Sequence, residues 1–155
     1  MLSEAGVPTP RSEWFDLDGS RYLEIDRFDR VEKRGRRGVI SLYAINVHFL
    51  GDDFDNWSKA GQRILDEPSL KMDAEHAELM IWLDTFGELI GNTDRHFGNF
   101  SFFTEEAREL VLTPTPVYDM LPMVFAPADA NLVKRPFAPR PPTAMNLHLW
   151  PEVAN

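Results

Sequence analysis

The clearest structural pattern in the sequence runs from Ala74 to Asn99 and reads AEHAELMIWLDTFGELIGNTDRHFGN. Residues 74 to 90 predict a helix, because their large apolar side chains recur at spacings of three and four and therefore share one face. These side chains are Leu79, Trp82, Leu83, Phe86, Leu89 and Ile90. Asp73 suits the N-cap position, and Gly91 predicts the end of the helix. The polar residues that follow Gly91 are predicted to form a loop.

Two β-hairpins are predicted on either side of this helix and loop. Residues 12–17 and 21–26 are short apolar and aromatic runs joined by Asp18-Gly19-Ser20, and an Asp-Gly step between such runs is a strong hairpin signal. Residues 100–103 and 110–112 predict the second hairpin, around a turn that begins at Thr104. The chain is therefore expected to belong to the α+β class.

The remaining segments are less regular. Residues 38–50 are strongly apolar, but their period fits either a strand or a short helix. Polar residues, Gly61 and Pro68 predict a loop over 51–70, with no more than a helical turn near residues 56–65. From about residue 123 the chain is rich in proline and lacks periodicity, so we expect an irregular tail on a single domain spanning 1–155.

Composition excludes several classes of function. The chain has 155 residues and no cysteine, which rules out thiol catalysis and thiolate zinc sites. A formal net charge of −9 argues against direct nucleic-acid binding, because phosphate contacts depend on Lys and Arg. The longest apolar stretch, residues 79–83, is too short to cross a membrane, and the N-terminus lacks the features of a signal peptide. A cytoplasmic location is expected.

Six of the 16 basic residues lie between Arg27 and Arg37. Because Gly35 and Gly38 flank part of this cluster, the favoured interpretation is a solvated hairpin loop. A loop that faces phosphate groups is the alternative.

The loop after the helix carries the residues best suited to chemistry. Asp94 and Asn99 have the Asp-x4-Asn spacing of the protein-kinase catalytic loop, and Asp119 follows where a second metal-binding Asp would stand. Phosphoryl transfer needs a group that orients the attacking hydroxyl and oxygen ligands that hold Mg²⁺. This set of side chains meets both needs.

Longer strings around these residues resemble the HipA-like serine/threonine kinases, the toxins of HipBA toxin–antitoxin pairs. The strings are LIGNTDRHFGNFS at 89–101 and LTPTPVYDMLP at 112–122. In addition, YLEIDRFDR at 22–30 is similar to the hinge of that family, where the backbone meets the adenine ring. The resemblance runs from about Val7 to Pro122.

The resemblance implies a role for each matching residue. Asp94 would act as the base toward the substrate hydroxyl, and Asn99 and Asp119 would hold Mg²⁺. The residues implied to neighbour ATP are His96 and Tyr118, together with Asp26, Arg27 and Phe28 at the adenine pocket. Gly98 departs from the family pattern, since many members carry a basic residue there.

The resemblance also implies an incomplete kinase, a C-lobe without its N-lobe. No glycine-rich segment and no lysine precede Asp26, although such kinases use both to hold phosphate groups. We therefore expect weak or absent transfer of the ATP γ-phosphoryl group to a protein Ser or Thr when this chain acts alone.

Other interpretations remain open on the sequence. The chain could be a non-catalytic interaction module that docks a separate N-lobe chain or an antitoxin. A metal-dependent hydrolase would use Asp94, His96 and Asp119. At single residues, Asp119 could simply form a turn, His96 could brace the loop by a hydrogen bond, and Arg95 could pair with an acid.

Overall fold

The computed structural model describes residues 2–51, 53, 56–104, 110–127, 136, 139 and 141–149, and these form an α+β fold. The predicted first hairpin is confirmed as β1 (Ser12–Leu17) and β2 (Ser20–Ile25). Asp18 and Gly19 both have positive φ, 50° and 76°, which is the backbone of the two-residue turn that matches the twist of a hairpin. Every residue of both strands is exposed.

The basic segment forms a second, smaller hairpin, as the favoured interpretation predicted. Its strands are β3 (Arg30–Val31) and β4 (Gly35–Arg36), and all residues from 30 to 37 are exposed. Glu32 takes a left-handed backbone conformation in the turn, with φ of 52°.

The ambiguous segment 38–50 contains both a strand and helical turns. Strand β5 (Gly38–Ser41) leads directly into α1 (Leu42–Ile45) and then into a π-helical turn, Asn46–Leu50. Ser41 marks the change, because its hydroxyl accepts the Ala44 N–H at 3.2 Å as an N-cap. The apolar residues of segment 38–50 showed no single period because the segment is part strand and part helix.

Residues 57–65 differ from the predicted loop, since they form a nine-residue helix, α2 (Trp57–Leu65). Asn56 caps it by accepting the Lys59 N–H at 2.9 Å. Gly61 misled the prediction, because a glycine inside a helix usually weakens it. Here a Cβ on Gly61 would lie 3.0 Å from the Met80 sulfur, so the glycine allows close packing.

The predicted central helix is confirmed as α3 (Ala74–Ile90), with Gly91 at its C-cap and φ of 71°. Asp73 occupies the N-cap position, as predicted, although its side chain makes no capping hydrogen bond. Helices α2 and α3 pack against each other.

A four-stranded sheet completes the fold. Strands β6 (Leu70–Lys71), β7 (Ser101–Thr104) and β8 (Leu110–Pro114) join β5 in the order β5-β7-β8-β6. The second predicted hairpin is confirmed, since β7 and β8 are antiparallel, whereas β6 and β8 run parallel. The loop that follows α3 therefore ends at a central strand of the sheet.

The core lies between this sheet and the helices. Its largest fully buried side chains are Trp57, Phe102, Leu42, Ile45, Ile64, Met80, Leu83, Leu112 and Thr85. After a 3-10 turn at Met123–Phe125, the described tail residues contain neither helix nor strand. The turn residues 105–109 and the last residues of the predicted domain, 150–155, lie outside the described part. Among the helices that are described, none combines the length and apolar character needed to cross a membrane.

Candidate functional site

The loop begins with a tight reversal at the end of α3. Gly91 adopts the left-handed conformation, and the Asn92 N–H donates to the Gly87 carbonyl at 2.8 Å. This geometry turns the chain out of the helix at once. Asn92 is only 3% exposed, so the polar loop starts from a buried anchor.

Asparagine side chains fix the backbone of Asp94 from both directions. Asn92 Oδ1 accepts the Asp94 N–H at 2.9 Å, and Asn99 Nδ2 donates to the Asp94 carbonyl at 3.0 Å. The Asp94 side chain itself is exposed. Asn99 is buried, and it contacts Asp94 through Nδ2 rather than Oδ1. The loop thus offers a carboxylate and an amide oxygen for chemistry.

Arg95 holds the loop against α3. Its half-buried guanidinium donates to the Asn92 carbonyl and to Glu88, and its Nε lies 3.5 Å from Asp84 Oδ1. The prediction that Arg95 pairs with an acid is confirmed. Gly87 makes this arrangement possible, because a Cβ there would collide with the Arg95 side chain.

The first turn of helix α2 contacts both α3 and the loop that follows it. Ser58 donates from its N–H at 2.7 Å and from its hydroxyl at 2.6 Å to Asp84 Oδ2. Burial raises the pKa of the Asp84 carboxyl, against the lowering effects of Ser58 and Arg95. Trp57 Nε1 donates to the His96 carbonyl at 3.2 Å. Two helices therefore fix the loop.

His96 braces the loop by a local hydrogen bond. Its Nδ1 accepts the Gly98 N–H at 3.0 Å, and its ring is otherwise exposed. This bond supports the bracing interpretation and leaves one edge of the ring facing solvent.

The residues on both sides of Asp119 contact the loop. The Tyr118 hydroxyl donates to the Gly98 carbonyl at 2.9 Å and also lies 2.7 Å from Ser101 Oγ. On the other side, Asn92 Nδ2 lies 3.2 Å from the Met120 sulfur. Burial raises the pKa of Tyr118, which keeps the phenol protonated as a donor.

Asp119 has the left-handed backbone conformation, with φ of 56°, and its side chain is exposed. Such a φ is uncommon outside glycine, and it is found often at functional sites. Asp tolerates it better than most residues, so it is also compatible with the turn-forming alternative.

The predicted adenine-pocket residues divide into two groups. The Phe28 ring stacks on Tyr118 with centroids 5.7 Å apart, and meets Phe103 edge-on at 5.9 Å. Asp26 and Arg27 are exposed, and the Arg27 guanidinium binds Asp29 through two hydrogen bonds of 2.8 and 2.7 Å. Phe28 thus joins Tyr118 at the loop, whereas the Arg27 side chain is engaged elsewhere.

Metal-ligand geometry weakens the hydrolase alternative. In the described part of the chain, the group of three His or acidic side chains that converges within 4.8 Å is Asp73, Glu75 and His76, at the start of α3. Asp94, His96 and Asp119 do not form such a group. A site with Asn99 and Asp119 as oxygen ligands needs no histidine and fits the donor set that Mg²⁺ prefers.

A cavity of about 650 Å³ borders the loop on the side of α2 and α3. Its lining includes Asp84, Glu88, Asn92, Thr93 and Arg95. Because Thr93 is the chain neighbour of Asp94, a ligand in this cavity would contact the loop next to the exposed carboxylate.

Sequence reasoning missed the residues that support the loop. Asn92 fixes Asp94, Asp84 lies beside Arg95, and Ser58 donates to Asp84, yet none of these contacts was predicted. Asp84 carried a signal, since it follows the apolar run at residues 79–83 and a carboxylate buried there needs a partner. Ser58 carried no comparable signal.

Comparison with known proteins gives a consistent result. The family model for the HipA-like C-terminal domain matches residues 1–149. The toxin YjjJ of Escherichia coli strain K12 is 36% identical over 113 residues, which cover 73% of this chain and 24% of YjjJ.

Two solved structures share the fold. A chain of the Shewanella oneidensis MR-1 complex of HipA, HipB and operator DNA matches with a TM-score of 0.57 and 17% identity, over 81% of this chain and 33% of that chain. The Helicobacter pylori proinflammatory kinase CtkA matches with a TM-score of 0.59 and 14% identity, over 79% of this chain and 46% of that one. The chain thus has the fold of a partial kinase-like C-lobe, and it spans less than half the length of these relatives.

Proposed function

Because the chain belongs to the HipA-like C-terminal domain family, we propose that it is the catalytic C-lobe of a serine/threonine protein kinase. The proposed reaction transfers the γ-phosphoryl group of ATP to a Ser or Thr hydroxyl of a protein substrate. The observation that carries the proposal is the loop in which Asn92 and Asn99 fix the Asp94 backbone while its carboxylate stays exposed.

Asp94 is proposed as the group that orients the attacking hydroxyl and accepts its proton. A carboxylate can do this only when it is reachable and held in position, and the two asparagine contacts provide the position. Arg95 contributes to the same rigidity through Asn92 and Glu88, so we assign it a structural role.

Asn99 and Asp119 are proposed to hold Mg²⁺, which would neutralise charge on the transferring phosphoryl group. The Oδ1 of Asn99 and the exposed Asp119 carboxylate are both hard oxygen donors. The contacts of Tyr118 with Gly98 and of Met120 with Asn92 support the placement of Asp119 beside the loop.

The proposed ATP site includes the stacked Phe28 and Tyr118 rings and the exposed edge of His96. Arg27 would contribute mainly through its backbone, because its side chain is paired with Asp29, and Asp26 is proposed to lie beside it at the adenine pocket. Gly98 supplies no charge for phosphate. This lack of charge supports weak turnover by the chain alone, and we propose a cytoplasmic location for it.

A second proposal is an interaction role, in which the chain docks a separate N-lobe or an antitoxin. The observation that favours it is the hairpin β1–β2, which leaves large apolar side chains exposed. These are Trp14, Phe15, Leu17, Tyr22, Leu23 and Ile25. Co-purification with neighbouring gene products tests it, and a monodisperse chain without partners would count against it.

The test of the kinase proposal is calorimetric binding of Mg²⁺-ATP to the chain and to Asp119→Asn. Asparagine tolerates the left-handed backbone but lacks the charge, so we expect affinity to fall by about tenfold or more. Asp18→Asn is the matched control, since Asp18 is also exposed with φ of 50°, and it should leave binding unchanged. Equal heats for all three proteins would remove the metal assignment.

Asp94→Asn separates the base from the metal ligands. This variant should retain Mg²⁺-ATP binding and lose phosphoryl transfer in an assay with the complete protein. A loss of nucleotide binding would instead place Asp94 among the ligands.

A further inference from the structure

The basic hairpin, defined as residues 30–37, is a concentrated positive surface on an acidic protein. Between Arg27 and Arg37 the chain carries six of its 16 basic residues but only two of its 25 acidic residues. The exposed cations of the basic hairpin are Arg30, Lys33, Arg34, Arg36 and Arg37. Neither the proposed catalytic roles nor the packing of the core uses these charges.

The basic hairpin keeps its charges at some cost to its own stability. Arg30 and Arg36 are direct cross-strand partners, and like charges in that position repel each other. Asp29 pairs with Arg27 and lies 3.6 Å from Arg30. Lys33, Arg34 and Arg36 make no ion pair within the described residues. An anion bound from outside would relieve this repulsion.

Aromatic contacts fix the base of the basic hairpin beside the proposed ATP site. Phe28, just before it, stacks on Tyr118. At its other end the Arg37 guanidinium lies 3.5 Å from the centroid of the Phe103 ring, a cation–π contact. The cations at the turn and on β4 remain free to contact a ligand near that site.

We propose that the basic hairpin binds an acidic segment of the protein substrate, an inference that rests on the proposed kinase function. The cations of the basic hairpin complement the carboxylates of such a segment. The hairpin is only about 10 Å long, which matches three or four residues of extended peptide. A long polyanion such as duplex DNA fits less well, because the net charge of −9 would repel its further phosphates.

Fluorescence anisotropy without nucleotide tests the inference directly. The probe is a fluorescein-labelled peptide with four glutamates beside one serine, and the reference peptide carries glutamines instead. Binding of the glutamate peptide should weaken as salt is raised, and the glutamine peptide should not bind. The double variant Arg34→Gln/Arg36→Gln should bind the glutamate peptide at least threefold more weakly, as expected for two exposed ion pairs.

The matched control is Arg11→Gln/Arg21→Gln, which removes the same charge from the β1–β2 region, where each arginine is exposed and paired with a neighbouring acid. It should bind like the original chain. An equal loss of affinity for the glutamate peptide in both double variants would overturn the inference, and so would failure of the original chain to bind this peptide. Tighter binding of a short DNA duplex than of the peptide would also overturn it.

The failure of this inference is distinguishable from failure of the kinase proposal. Mg²⁺-ATP binding is measured on the same hairpin variant, which should be unaffected because Arg34 and Arg36 are not assigned to the nucleotide. Peptide binding that fails while nucleotide binding persists removes the docking surface alone.

Discussion

At the scale of single residues, two neutral side chains fix the backbone of Asp94, the residue proposed to act as the base. Asn92 accepts the Asp94 N–H and Asn99 donates to its carbonyl, so neither contact places a cation next to the carboxylate. An amide side chain has both a donor and an acceptor, which suits it to this task. The backbone of Asp94 is therefore fixed while its side chain stays exposed.

Tyr118 should contribute to stability through its hydroxyl. Tyr118→Phe removes the bonds to the Gly98 carbonyl and Ser101, and should lower the free energy of unfolding by about 1–2 kcal/mol. Tyr43→Phe is the control, because Tyr43 is 62% exposed, and it should have little effect. Urea denaturation measures both, and equal effects would contradict the role given to the Tyr118 contacts.

Asp84 should give the chain a specific pH dependence. Its pKa is raised by burial, so the folded state binds a proton more tightly than the unfolded chain does. Relative to Asp84→Asn, the free energy of unfolding should therefore rise as the pH falls through the raised pKa toward the ordinary aspartate pKa.

Urea denaturation at a series of pH values between 7 and 4 checks the Asp84 prediction. Ser58→Ala should enlarge the effect, since the Ser58 hydrogen bond holds the Asp84 pKa down. If the free energy of unfolding of the original chain, relative to that of Asp84→Asn, fell as the pH falls, the predicted direction would be wrong.

At the scale of elements, the two long helices begin with different chemistry. Asn56 caps α2 through its side chain, whereas Asp73 makes no such bond at α3. Asn56→Ala should lower the free energy of unfolding by about 1 kcal/mol, and Asp73→Ala should cost clearly less. Thermal and urea unfolding of the two variants compare them, and equal losses would show that the Asn56 contact is not the cause.

The elements differ in how well their sequences predicted them. Helix α3 and the β1–β2 turn were predictable, because apolar spacing and Asp18-Gly19 act locally. Helix α2 was not, since Gly61 is favoured by its contact with Met80, a residue distant in sequence. Segment 38–50 could not be assigned because Ser41 divides it into a strand and a helix.

At the scale of the whole molecule, the fold brings distant parts of the chain to one loop. The Phe28 ring stacks on Tyr118, and the Met120 sulfur lies beside the Asn92 side chain. Trp57 donates to the His96 carbonyl in the loop, and Ser58 donates to Asp84. The motif spacing could single out Asp94, Asn99 and Asp119 as candidate site residues. Asp94 and Asn99 have the Asp-x4-Asn spacing, and Asp119 follows them in the order expected for a kinase. The supporting contacts depend on tertiary packing, which single-sequence patterns do not contain.

We propose that the loop at 94–99 and residue 119 form a single site for a divalent cation and nucleotide. Line broadening by Mn²⁺ in the presence of ATP, followed by NMR on the labelled chain, is the test. We expect the backbone signals of Asp94 to Asn99 and of Tyr118 to Met120 to broaden together, and Asp119→Asn to weaken both effects. Broadening at only one of the two segments, or at Asp73 to His76 instead, would contradict the account.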